Sequence, residues 1–123
     1  MTHKILIADD EPNIVISLEY LLKREGYAVS VARDGAAALE AIRRERPALV
    51  LLDVMMPGMS GFEVCQAVRG DESLAGVKIV LLTAKGRDTD LAKGTALGAD
   101  AYVTKPFSTR ALAERVRELL AAA

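Results

Sequence analysis

The sequence predicts an α/β fold: a doubly wound, five-stranded parallel sheet with five helices laid over its two faces, a three-layer sandwich. Three observations carry this expectation. Short aliphatic runs begin at Lys4, Ala28, Ala48, Val77 and Asp100, 20 to 29 residues apart, a spacing that leaves room for one helix between successive strands. The first, third and fourth runs are continuously apolar rather than alternating, as strands covered on both faces are. The segments between the runs carry apolar residues at helical spacing, with start and stop signals. Right-handed crossovers through five such units permit the strand order 2-1-3-4-5, one of the two common doubly wound arrangements.

Taken in order, the first strand is Lys4 to Ala8, and Pro12 opens a helix running to Glu25, where a missing N–H costs nothing. Ile14, Leu18, Leu21 and Leu22 form its apolar stripe, and Gly26 offers a left-handed stop. The second strand, Ala28 to Ala32, precedes a helix capped by Asp34 and holding Leu39 and Ile42; Pro47 must follow that helix rather than join it. After the third strand, Ala48 to Leu52, Ser60 caps a helix with Phe62, Cys65 and Val68 facing inward. The fourth strand is Val77 to Leu82. The helix after it, about Arg87 to Leu97, is the weakest, since Gly94 lies inside it and only Leu91, Ala92, Thr95, Ala96 and Leu97 are available to pack. The fifth strand, Asp100 to Val103, leads to a last helix with Ser108 as cap and Leu112, Val116, Leu119 and Leu120 on one face. Five units account for residues 1–123 as one domain.

Composition excludes several function classes. Sixteen basic and seventeen acidic residues leave a formal net charge of −1, so no global field draws the chain to nucleic acid or to a membrane surface. No basic recognition helix is present, and direct nucleic-acid binding by this chain is not expected. The single cysteine, Cys65, cannot form an internal disulfide, no signal-peptide pattern opens the chain, and no apolar run approaches the roughly 18 residues that span a bilayer. A cytoplasmic setting without membrane contact is the expectation.

The chemistry lies where the strands end. Asp9 and Asp10 follow the first strand, Asp53 the third, Thr83 and Ala84 the fourth, and Lys105 the fifth. In the order 2-1-3-4-5 the first and third strands are neighbours at the switch point, so the three carboxylates share one edge, the edge where open α/β sheets bind ligands. Two carboxylates about 5 Å apart repel by roughly 3 kcal/mol at an effective dielectric near 20. Protonation or a metal relieves this. With Lys105 counted, the cluster carries a formal charge of −2, which matches a divalent cation, and all-oxygen ligands select a hard one such as Mg²⁺. Asp53 beside such an ion can act as a carboxylate nucleophile toward a phosphoryl group, with Lys105 neutralising charge.

These residues carry a resemblance. Asp9-Asp10-Glu11-Pro12, the run Asp53 to Gly61, Thr83-Ala84, Gly98 to Tyr102 and Lys105-Pro106-Phe107 together resemble the receiver domain of bacterial two-component response regulators, over essentially the whole chain. The resemblance implies a flavodoxin-like fold and a phosphoacceptor signalling domain rather than an enzyme, one that promotes its own phosphorylation and dephosphorylation. Asp53 would take a phosphoryl group from a phosphohistidine on a sensor histidine kinase or phosphotransfer protein. Asp10, Asp53 and the Met55 carbonyl would ligate Mg²⁺, with Asp9 acting through water. Thr83, the Ala84 amide and Lys105 would hold phosphoryl oxygens. It further implies a cis Lys105–Pro106 bond, and a switch in which Tyr102 turns inward as Thr83 moves, remodelling the surface of the fourth helix, fifth strand and last helix for an output domain or target protein. The chain is expected to be a single-domain regulator or part of a longer one, a monomer or a weak phosphorylation-dependent dimer. The winged-helix subfamily usually has a second acidic residue after Asp100 and a Glu in the last helix; here those places hold Ala101 and Ala111, which weakens the case for its dimer. Met55 and Lys85, two positions beyond Asp53 and Thr83, would flank the hydrolytic water and set the aspartyl-phosphate lifetime.

Blander readings exist for each residue alone. An Asp after a strand is often a helix cap, Thr83 a turn residue, Tyr102 core filling, Cys65 a small core hydrophobe, and Lys85, Arg87 and Lys93 a solvated face. Three converging carboxylates with a lysine are harder to explain that way. A haloacid-dehalogenase-type phosphatase wants a second Asp where Met55 stands, and an FMN carrier wants a hydroxyl-rich loop where Asp9-Asp10-Glu11 stands. A phosphorylation-independent docking module of the same fold is the remaining alternative.

Overall fold

Five parallel strands in the order β2-β1-β3-β4-β5 form one sheet in the computed structural model of this chain, which describes residues 3–84, 92–93 and 96–121. The strands are β1 (Lys4–Ala8), β2 (Ala28–Ala32), β3 (Leu49–Asp53), β4 (Lys78–Ala84) and β5 (Ala101–Lys105). The helices are α1 (Pro12–Arg24), α2 (Gly35–Glu45), α3 (Gly61–Arg69) and the C-terminal α4 (Thr109–Ala121), with a single 3₁₀ turn at Glu72–Leu74. Much of the helix expected over Arg87 to Leu97, including Arg87, Leu91, Gly94 and Thr95, lies outside the described residues, as does Lys85. Ala92, Lys93, Ala96 and Leu97 have helical backbone. Four delimited helices are therefore seen among the described residues where five were expected.

Alternate residues of each central strand feed two separate cores, as the period of a strand requires. Leu6, Val50, Leu52, Ile79 and Leu81 pack with α2 and α3 on one face, through Leu39, Ile42, Phe62, Cys65 and Val68. Ile5, Ile7, Leu49, Leu51, Val80 and Leu82 pack with α1 and α4 on the other, through Val15, Leu18, Leu22, Leu112 and Val116. In α1 the deepest line runs through Val15, with Ile14 and Leu21 half-buried at its flanks, a rotation of the expected stripe by less than one residue.

The expected caps are present. The Asp34 side chain accepts from the Ala37 amide at 2.8 Å, Ser60 and Glu63 form a capping box, and Ser108 Oγ accepts from the Ala111 amide at 3.2 Å. Gly26 follows α1 at φ 94, the left-handed stop that a side chain would oppose. The strand ends differ from the expected limits in a way that matters. Each of β3, β4 and β5 begins one residue late, and β3 runs one, β4 and β5 two residues further than expected, because ladder pairing continues past the apolar run: Asp53 pairs with Leu82, Thr83 with Thr104 and Ala84 with Lys105. The residues singled out as functional are thus mostly the last rungs of strands rather than loop residues.

At the opposite edge, one arginine ties three elements together. Arg69, the last residue of α3, donates from Nε to the Gly98 carbonyl at 2.8 Å, from Nη1 to the Val77 carbonyl at 2.8 Å and from Nη2 to Asp100 Oδ2 at 2.7 Å. The same Asp100 oxygen accepts from the Ile79 amide at 2.7 Å. Removing the guanidinium strands two carbonyls and a carboxylate in a half-buried place, so Arg69→Ala is expected to cost about 2 kcal/mol, read as a lower urea midpoint with unchanged slope.

Candidate functional site

Because β1 and β3 are hydrogen-bonded neighbours, the residues that follow them meet at the C-terminal edge of the sheet. Asp9, just past β1, is fully buried, and its amide donates to the Ala32 carbonyl at 3.1 Å. Its Oδ1 accepts from the Glu11 amide at 2.9 Å and its Oδ2 from Lys105 Nζ at 3.1 Å. Asp10 is exposed. Asp53, the last residue of β3, is only 4% exposed; its Oδ1 accepts from the Met55 amide at 3.2 Å, and its Oδ2 lies 3.5 Å from Lys105 Nζ. One carboxylate oxygen from each of Asp9, Asp10 and Asp53 falls within 4.8 Å of the others. Thr83 is 5% exposed near the end of β4, Ala84 is exposed beside it, and Tyr102 is half-buried on β5 against the α2/α3 core. The Lys105–Pro106 peptide is cis.

The electrostatics follow from this crowding. Burial, with the Asp9 charge second, pushes the Asp53 carboxyl from 3.8 up to about 6, against the opposing pull of Lys105 and the Met55 amide. Burial would lower the Lys105 ammonium, but hydrogen bonds to Glu11 and Asp9 and the charges of Asp53 and Asp9 outweigh it and raise its pKa. The donor set is all oxygen and predominantly anionic, which suits a hard divalent cation. Such an ion, like Lys105, would offset the repulsion between the buried carboxylates.

Two residues of the site were not singled out as functional from the sequence. Glu11 was legible only as part of an acidic run, yet its Oε1 accepts from Lys105 Nζ at 3.0 Å across 94 residues of chain. Gly61 is visible in the sequence only as the end of the Asp53 to Gly61 run. It opens α3 with its amide on the Val54 carbonyl at 3.0 Å, and a Cβ there would collide with the carbonyl oxygen of Asp53. That close approach seats α3 directly behind Asp53. Lys93, expected on a solvated face, is exposed but has its Nζ 4.7 Å from the centre of the Phe62 ring.

Comparison with known proteins agrees with this geometry. The family model for the response regulator receiver domain matches residues 5–117. The chain is 47% identical over 120 residues to the DNA-binding response regulator MtrA of Mycolicibacterium smegmatis, covering 98% of this chain and 51% of that protein, so it spans about half the length of that relative. Among solved structures it is similar to the signal receiver domain of a signal transduction histidine kinase from Syntrophus aciditrophicus, with TM-score 0.92, 32% identity, and 99% and 92% of the two chains covered. It is also similar to the chemotaxis response regulator CheY4 of Vibrio cholerae, with TM-score 0.90, 31% identity, and coverage of 97% and 99%. No helix among the described residues is long and apolar enough to cross a membrane.

Two outcomes follow from the site's physics. In the unfolded chain Asp53 returns to an ordinary carboxylate pKa, so between that value and about 6 the folded state binds the extra proton. Stability contributed by that proton is present at low pH and lost as pH rises through about 6. The rise from 3.8 to about 6 is worth about 3 kcal/mol at neutral pH. In chelator-treated protein Asp53→Asn is therefore expected to be more stable than the parent at pH 7.5, by up to about 3 kcal/mol, and nearly equal to it at pH 4, as measured by urea denaturation at the two pH values. Gly61→Ala is expected to cost about 2 kcal/mol or more, since backbone must shift to admit the methyl group, and to weaken cation binding in a Mg²⁺ titration followed by amide chemical shifts.

Proposed function

The chain belongs to the response regulator receiver domain family, and from that premise we propose that residues 1–123 form one receiver unit whose Asp53 accepts a phosphoryl group in a Mg²⁺-dependent reaction. The observation that carries this reading is a nearly buried carboxylate at a strand end, 3.5 Å from a lysine ammonium and clustered with two further carboxylates. Such a group is costly to keep for structure alone and well suited to nucleophilic attack on phosphorus.

In the proposed reaction an Asp53 oxygen forms the new O–P bond while the P–N bond of a phosphohistidine breaks. The electron pair of that bond returns to the imidazole nitrogen of the donor. Asp9, Asp10, Asp53 and the Met55 carbonyl are the groups that would hold Mg²⁺, which when bound supplies positive charge for the transferring oxygens. Lys105 donates to a phosphoryl oxygen from one side, and the Thr83 hydroxyl and Ala84 amide from the other. The domain is thus a signalling partner that promotes its own phosphorylation and dephosphorylation. Met55, whose side chain is 61% exposed beside Asp53, together with Lys85 is proposed to set the lifetime of the product.

Phosphorylation gives Thr83 a new acceptor. Movement of Thr83 opens space for Tyr102, and the surface formed by the expected fourth helix, β5 and α4 changes shape for an output domain or target. A shift from 1:99 to 99:1 needs about 5.5 kcal/mol of differential stabilisation. The proposed setting is cytoplasmic, and the proposed donor is a sensor histidine kinase or phosphotransfer protein. The DNA binding named for the mycobacterial relative is not proposed for these 123 residues, whose net charge is −1.

The test is intact-mass analysis after incubation with acetyl phosphate, with and without Mg²⁺, in parallel with Asp53→Asn. A single Mg²⁺-dependent phosphoryl adduct, absent from the variant, is expected. A folded, cation-binding protein that takes no adduct would instead be a docking module of the same fold.

A further inference from the structure

Glu11 occupies the N-cap position of α1 in extended backbone, but its side chain makes no capping hydrogen bond. Its carboxylate is directed instead across the crevice, to Lys105 Nζ at 3.0 Å. The Glu11 amide meanwhile holds Asp9 Oδ1 at 2.9 Å, which leaves Asp9 Oδ2 to accept from the same ammonium at 3.1 Å. An ammonium has three donors. Two are engaged at hydrogen-bond distance by Asp9 and Glu11, and Asp53 Oδ2 stands further off at 3.5 Å. The β1–α1 turn therefore holds Lys105 with two carboxylates at shorter distances than its 3.5 Å ion pair with Asp53.

Resting on the proposed phosphoacceptor role of Asp53, we propose that Glu11 is a positioning residue that competes with a phosphoryl group on Asp53 for Lys105, so that phosphorylation loosens the Glu11–Lys105 pair. A phosphoryl group on Asp53 would draw the ammonium toward itself, in competition with the carboxylates that now hold two of its three donors. Asp9 belongs to the cluster of three carboxylates that can share a cation, and a cation held there would compete with the ammonium for its carboxylate. Glu11 lies outside that cluster, and with its side chain 57% exposed it can swing into water when released. It is the partner that competes with the phosphoryl group for Lys105. Exposed pairs of this kind are weak and screened by salt, so the competition tunes the balance between the two arrangements and does not block it.

Beryllofluoride with Mg²⁺, a tetrahedral mimic of a phosphoryl group on a carboxylate, reads that balance without turnover. Its affinity would be measured by calorimetry at saturating Mg²⁺ for the parent, Glu11→Ala and Glu11→Asp. Both variants are expected to bind about two- to five-fold more tightly, the scale of one lost exposed ion pair, and the gain over the parent should shrink as salt is added. Glu11→Asp keeps the charge but is one methylene too short to reach Lys105. Parent-like affinity in that variant would mean that the local field and not the tether acts, and the inference would be wrong. Unchanged or weaker binding in Glu11→Ala would overturn it equally. A parent protein that binds no beryllofluoride removes the phosphoacceptor reading itself, and this inference with it, whereas a parent that binds while the variants match it removes the inference alone.

Discussion

Two acidic side chains withdrawn from water, Asp9 at zero exposure and Asp53 at 4%, set the terms for everything else at the C-terminal edge of the sheet. The backbone pairing of β1 with β3 forces them together, since Ile5 to Ala8 run in register with Leu49 to Leu52. The repulsion between them is therefore built in, and Lys105, the proton on Asp53 and a divalent cation are alternative ways of relieving it. Each leaves the site in a different charge state, and a site that can take alternative charge states is suited to switching.

The rest of the fold supplies the rigidity that keeps this tension in place. Two aliphatic cores, one on each face, lock the central strands by alternate side chains, so a slip of one residue would send every side chain to the opposite face and unpack both cores at once. Gly61 brings α3 against the backbone of Asp53, and Arg69 at the other end of the same helix reaches Val77, Gly98 and Asp100. One helix is thus pinned to the backbone of Asp53 at its start and to the turn before β5 at its end. Displacement near Asp53 and displacement before β5 are both resisted by α3. Lys93 over the Phe62 ring and the Cys65 thiol donating to the Leu97 carbonyl at 3.7 Å join the following helical segment to that helix as well.

Much of the molecule was readable from residue order. The period of the apolar runs, the caps at Asp34, Ser60 and Ser108, and the stop at Gly26 were all local signals, and each is found where it was expected. The convergence of Asp9, Asp10, Asp53 and Lys105 was also legible, because 2-1-3-4-5 is one of the two common orders that right-handed crossovers permit and the residues sit at or just past strand ends. Strand limits were read less well, since pairing with a neighbour extends a strand beyond its apolar core into Asp53, Ala84 and Lys105. The inward line of α1 fell on Val15, a choice made by the neighbouring α4 and the sheet and not by the helix's own stripe.

What residue order determined by itself was therefore the fold class and the membership of the acidic site, because periodicity, capping and strand-end chemistry act over a few residues, and the family, through the motifs that resemble it. What only the tertiary structure decided was who holds whom. That Lys105 is shared between Asp9 and Glu11 and stands off Asp53, that the Asp53 carboxyl is pushed up to about 6, and that Arg69 locks the far edge depend on distances between residues up to 96 positions apart in sequence. Coulombic and hydrogen-bond energies vary over fractions of an ångström and with burial. No local pattern encodes those quantities; they exist only once both faces of the sheet are packed.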